Sequence, residues 1–111
     1  MTMAKKQTEN TVGETLRVEF VARENGPERL VCEAELIFLD GPLADMKLVG
    51  FSLWKGADGE VYVTFPSRAF GGGTERRYFD YLRSVDGTPE VVRRIKAWMV
   101  DQYKLQQQAA A

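Results

Sequence analysis

Residues 46–65, MKLVGFSLWKGADGEVYVTF, have the pattern of two β-strands joined by a tight turn. Phe51 and Leu53 fall on one side of the first strand, because successive side chains of a strand point to opposite faces. Residues 55–59 form a short polar connection with two glycines, and a run rich in β-branched and aromatic residues follows. Pro66 ends that run, since proline has no N–H to donate to a ladder. The stretch predicts two neighbouring antiparallel strands.

Other segments on both sides of this stretch alternate in the same way and are separated by turn residues such as Asn25-Gly26-Pro27. In the first of them, Leu16, Val18 and Phe20 share one face. Short strands at regular spacing are typical of an antiparallel meander. The predicted strands are 15–23, 30–39, 46–54, 60–65 and, after three consecutive glycines, 77–82.

A helix is predicted after Asp86-Gly87, with Thr88 as a candidate N-cap and Pro89 at the first helical position. Apolar residues then recur at helical spacing and form one stripe: Val91, Val92, Ile95, Trp98, Met99 and Tyr103. Such a helix covers one face of a sheet, so the predicted fold is α+β, an antiparallel β-meander of four to five strands with a C-terminal α-helix packed on the sheet. We expect a disordered tail at 1–14, one domain at 15–105 and a frayed tail at 106–111.

Composition excludes several classes of chemistry. The chain has 111 residues, a net charge of −1, no histidine and one cysteine, Cys32, which lies in an apolar run. Without histidine, the Cys-His and Ser-His pairs and the commonest zinc ligand are missing, and no spacing of carboxylates selects an acid–base pair. We therefore predict no enzymatic activity, no catalytic residue, no metal and no cofactor. The lack of a secretory signal predicts a cytoplasmic protein.

The charge is unevenly distributed along the chain. Residues 1–67 carry 7 Lys/Arg against 11 Asp/Glu, whereas residues 68–111 carry 8 against 5. Arginine suits phosphate, because its guanidinium is always charged and offers forked donors. Several basic residues flank the glycine run or follow it on the helix: Arg68, Arg76, Arg77, Arg83, Arg93, Arg94 and Lys96. The alternative is that these residues only solvate a surface and pair with Glu75, Asp80 and Glu90.

Residues 50–68 resemble the SpoVG family (stage V sporulation protein G) of small bacterial regulators. GFSLWKG at 50–56 is similar to the family's third strand and turn, and Gly59 with VYVTFPSR at 61–68 is similar to its motif G-x-F-V-x-M-P-S-R/K. The resemblance extends loosely over residues 15–104. The chain resembles a divergent member, because YLRS at 81–84 stands where the family has a histidine and a proline.

The resemblance implies a small α+β domain that dimerises through its sheet, binds DNA and RNA and regulates gene expression. By position it implicates Arg68 and the surroundings of Arg94 in nucleic-acid contact. Charge and placement add Arg76, Arg77, Arg93 and Lys96 to this set. We expect the loop at 69–75 to become ordered on binding.

The functional prediction is a homodimeric nucleic-acid-binding regulator, with no membrane partner and no small-molecule substrate. The alternative is a non-enzymatic protein-interaction module that uses an exposed sheet edge.

Overall fold

The computed structural model describes residues 13–110, and in this part of the chain an antiparallel sheet, a separate hairpin and a long helix follow one another. The strands of the first sheet lie in chain order, β1-β2-β3-β4. The elements are β1 Leu16–Val21, β2 Leu30–Phe38, β3 Lys47–Lys55, β4 Val61–Thr64, β5 Ser67–Phe70, β6 Arg77–Asp80 and the helix α1 Pro89–Ala110. The predicted α+β fold is therefore confirmed.

The alternation seen in the sequence corresponds to the two faces of this sheet. Val18 pairs with Leu36 and Ala34 pairs with Phe51, and all four side chains are buried. The other face carries charged side chains such as Glu35, so the sheet is packed on one side and open on the other. Cys32 lies on the packed face, where burial raises the pKa of its thiol.

The helix α1 packs on the buried face, mainly against β4 and β1. It begins at Pro89, and the Thr88 N–H donates to a carboxylate oxygen of Asp86 at 3.1 Å, which holds the turn before the first helical residue. Met99 is fully buried, and the Tyr103 ring meets Phe20 edge to face at 5.4 Å between centroids. The apolar stripe predicted for the helix thus faces the core, except for Val91, which is exposed.

Three features of the structure differ from the sequence prediction. The strand predicted at 77–82 exists as β6 but pairs with β5, a strand that was not predicted, and both stand outside the four-stranded sheet. Residues 106–110, expected to fray, are helical, because Gln and Ala are compatible with a helix and nothing there interrupts one. The tail predicted to be disordered lies outside the described residues except Gly13 and Glu14, which are helical.

A close contact between β3 and the end of β4 fixes where the chain leaves the sheet. Gly50 has a φ of +104°, and a Cβ on it would lie 2.9 Å from the Cβ of Pro66. The Tyr81 N–H donates to the Pro66 carbonyl at 2.9 Å, and Leu82 packs against the core. The β5–β6 hairpin is therefore held at its base by the residues on both sides of it.

Candidate nucleic-acid interface

The β5–β6 hairpin contains the three glycines and the arginines around them. Its connection includes a 3-10 turn at Gly73–Glu75, closed by the Glu75 N–H donating to the Gly72 carbonyl at 3.0 Å. Gly71 has a φ of +76°, and a Cβ there would meet the Glu75 carbonyl oxygen at 2.7 Å. The glycines thus allow a tight turn. The 3-10 turn lies within the loop at 69–75, and the ordering of this loop on binding stays a prediction.

Strand pairing sorts the hairpin's side chains onto two faces, because directly opposed residues of an antiparallel pair project to the same side. Arg68 is opposite Phe79, and Phe70 is opposite Arg77. Because Arg68 and Phe70 are two residues apart, these four side chains share a face. We call this set, Arg68, Phe70, Arg77 and Phe79, the basic–aromatic face. Ser67, Ala69, Tyr78 and Asp80 form the opposite face.

The two rings of the basic–aromatic face contact each other and remain accessible. Phe70 and Phe79 meet edge to face with centroids 5.1 Å apart, and the Arg68 guanidinium lies over the Phe70 ring at 4.5 Å. Their exposed fractions are 42% for Phe70 and 46% for Phe79. None of the buried core residues in the described part of the chain comes from this hairpin. Core packing therefore gives no reason for two phenylalanines here.

The arginines of the hairpin form no ion pair with any acidic side chain of the described residues. Across residues 13–110, ion pairs join Arg17 to Glu19, Arg23 to Glu33 and Lys47 to Glu35, all within β1, β2, β3 and their connections. The interpretation that the later basic residues pair with Glu75, Asp80 and Glu90 is therefore wrong for the described residues. Three cations of the acidic half form ion pairs, whereas no cation of the basic half forms one among the described residues.

The six predicted site residues fall into two groups. Arg68 and Arg77 lie on the basic–aromatic face, and Arg76 is next to them at the end of the 3-10 turn. Arg93, Arg94 and Lys96 lie on α1 instead. The Lys96 ammonium sits 5.0 Å from the centre of the Phe65 ring, so it approaches the base of the hairpin, one residue before Pro66. Among the described residues, no ion pair or cation–π contact joins the two groups.

The sequence analysis missed Phe79 and left Arg83 out of the site. Phe79 belongs to the face through its pairing with Arg68, which could not be deduced because no strand was predicted at 67–70. Arg83 lines a shallow hollow together with Phe70 and Phe79. The signal that could have shown this is the even spacing of Arg77, Phe79 and Arg83, which favours one side of an extended chain.

Groups with shifted pKa values lie away from the hairpin. A hydrogen bond from the Tyr62 hydroxyl lowers the pKa of the Asp58 carboxyl, and hydrogen bonds from Thr88 lower that of Asp86. Both carboxylates are in surface turns and have hydroxyl or backbone partners rather than a second carboxylate. The part of the chain that the structure describes has no helix of the length and apolar character needed to cross a membrane.

Comparison with known proteins gives no match to any family model, any curated protein or any solved structure. The resemblance to the SpoVG family therefore stays a prediction from the residues quoted above.

Proposed function

We propose that this protein is a nucleic-acid-binding regulator that acts in the cytoplasm, without catalysis, and contacts its ligand through the basic–aromatic face. One observation supports this most strongly. Two arginines without an ion pair among the described residues share one face of a hairpin with two accessible phenylalanines, and no buried core residue of the described chain comes from this hairpin. Guanidinium groups bind phosphate and aromatic rings accept bases, which is the combination used by proteins that bind nucleic-acid strands.

Local charge rather than net charge would drive this binding. The whole chain carries −1, so its overall field does not attract a polyanion. The ion pairs of the β1–β3 region engage Arg17, Arg23 and Lys47, whereas Arg68, Arg76 and Arg77 are exposed and form no ion pair among the described residues. A phosphate on these arginines would therefore gain charge-assisted hydrogen bonds without breaking existing ones.

The helix residues provide a second contact area for a longer strand. Arg93 and Lys96 are three residues apart and so are neighbours on the helix surface, whereas Arg94 projects away from Lys96. Lys96 also lies over Phe65, close to where the hairpin begins. A homodimer would double both areas, so two weak contacts would act at a raised effective concentration. The resemblance to the SpoVG family supports the same assignment, since Arg68 occupies the basic position of its motif.

The salt dependence of binding tests this function. Fluorescence anisotropy would be measured with a short labelled single-stranded DNA, its RNA counterpart and a duplex, between about 50 and 200 mM salt. Each phosphate contact of a single strand contributes about −0.7 to the slope of log affinity against log salt. Three hairpin arginines would give a slope of about −2, and all six basic residues about −4.

Absence of binding to every probe at low salt would contradict the proposed function and favour a second candidate, a protein-interaction module. The observation behind that candidate is an open edge. β4 pairs only with Ser52–Lys55, so the first half of β3 has no β4 partner. Exposed apolar side chains lie at this end of the sheet, and they are Leu39, Leu43, Met46 and Val49.

A further inference from the structure

A hollow on the basic–aromatic face has the lining of a base-binding site. It has a volume of about 310 Å³ and is lined by Phe70, Phe79 and Arg83. This volume is at the lower end for small-ligand sites in proteins. Two of its walls are aromatic rings and the third is a cation with forked hydrogen-bond donors, so both a flat apolar surface and a polar group are available to one ligand.

The two rings are not equivalent. Arg68 already lies over Phe70 at 4.5 Å, so a cation occupies part of that ring's surface. Among the described residues, no cation lies over Phe79, although it is nearly half exposed and touches Phe70 at 5.1 Å between centroids. Phe79 is therefore the ring with a surface left for a ligand.

Stacking and charge together select the ligand class. In a duplex the bases are stacked on one another, and a protein reaches mainly their edges and the phosphates. In a single strand a base can lie on a protein ring while its flanking phosphates remain accessible. Arg68 and Arg77 lie on the same face as Phe79 and can bind such phosphates. Arg83 can donate to acceptor atoms on the edge of the stacked base.

We propose, building on the function proposed above, that the hairpin binds unpaired nucleic acid and that one base stacks on Phe79 in the hollow formed with Phe70 and Arg83. The strand crosses the basic–aromatic face, with its phosphates on Arg68 and Arg77. Duplex nucleic acid reaches only the arginines, and it binds less tightly at the same salt concentration.

The test compares Phe79→Leu with the wild-type protein on a labelled single strand and on a duplex of the same length. Because stacking of a base on an aromatic ring contributes to the binding free energy, the variant is expected to bind the single strand about tenfold or more weakly than the wild-type protein does. Its affinity for the duplex is expected to stay within about twofold, because the same arginines still bind phosphate. Phe79→Trp, which keeps an aromatic surface, is expected to retain affinity for the single strand.

Tyr78→Leu is the matched control, since Tyr78 is adjacent in β6, even more exposed, and on the opposite face of the hairpin. It is expected to leave both affinities unchanged.

Equal losses for Tyr78→Leu and Phe79→Leu would overturn the inference. So would an equal loss on both probes for Phe79→Leu, which would mean that the ring only supports the hairpin. Duplex binding as tight as single-strand binding, with Phe79→Leu unaffected, would overturn this inference alone. Failure of every probe to bind would instead overturn the proposed function on which it rests.

Discussion

The double variant Arg68→Glu/Arg77→Glu is expected to lose at least about a hundredfold in affinity for single-stranded DNA at low salt. Both side chains lie on the basic–aromatic face, and neither has an acidic partner among the described residues. A hydrogen bond to a charged group contributes about 1.5–3 kcal/mol, so losing two such contacts accounts for the hundredfold. Placing carboxylates next to phosphates adds repulsion to that loss.

The variant is expected to remain folded, because the hairpin contributes nothing to the buried core and both positions are exposed. The affinity measurement is therefore paired with circular dichroism and urea unfolding. Loss of binding with an unchanged unfolding midpoint would assign the effect to the interface.

The control for this experiment changes the net charge by the same amount elsewhere. Lys55 and Lys104 are exposed, lie outside the hairpin, and form no ion pair in the described residues. Lys55→Glu/Lys104→Glu is expected to lower affinity only slightly, through the long-range field. If this control weakens binding as much as Arg68→Glu/Arg77→Glu does, the binding depends on net charge and the hairpin assignment is wrong.

Gly50→Val is expected to destabilise the fold by about 2–6 kcal/mol, a large part of the total stability of a small domain. Two penalties add up. A β-branched residue is strained at a φ of +104°, which costs about 1–3 kcal/mol. The new Cβ would also lie 2.9 Å from the Cβ of Pro66, and overpacking of this kind costs about 1–3 kcal/mol. Urea unfolding would measure the sum.

Gly59→Val separates these two penalties. Gly59 has a similar φ of +84°, but a Cβ there would have no atom within 4 Å. The Gly59→Val variant is expected to show the backbone strain alone, which lowers the free energy of unfolding by about 1–3 kcal/mol. Equal destabilisation by the two variants would mean that the approach of Pro66 to Gly50 does not constrain the base of the hairpin.

The sheet and the helix could be predicted from the sequence because each has a periodic burial pattern. Ala34 and Phe51 alternate with polar neighbours on their strands, and Met99 lies on an apolar stripe of helical period. These patterns arise from contact with one core, so the sequence shows which side of each element is buried. The antiparallel order followed from the short turns between consecutive strands.

The hairpin could not be predicted in the same way, because it has no buried face to produce a pattern. Pro66 correctly marks the end of β4, but SRAF at 67–70 follows it with every residue exposed. Its pairing with RYFD at 77–80 rests on backbone hydrogen bonds and on the turn at the glycines, neither of which leaves an apolar alternation. Arg77 was found from its charge and Arg68 from its charge together with its place in the motif quoted above, whereas Phe79 required the register.

The sequence also could not predict which charged side chains form ion pairs. Counting residues showed an acidic half and a basic half, but it did not show which carboxylates already had partners. Glu33 and Glu35 pair with Arg23 and Lys47 across neighbouring strands, which depends on strand register. Only with these pairs assigned do the later arginines stand out as unpaired.

The most direct test of the hairpin as the binding site is to titrate the isotope-labelled protein with a short single-stranded oligonucleotide and follow the backbone amide resonances. The account predicts that the largest shifts fall within residues 67–83. It also predicts that the indole N–H of Trp54, which donates to the Thr64 hydroxyl at 2.8 Å on the open face of the sheet, is unchanged. Shifts centred on the open sheet face, or on the exposed apolar side chains between β2 and β3, with residues 67–83 unaffected, would contradict it.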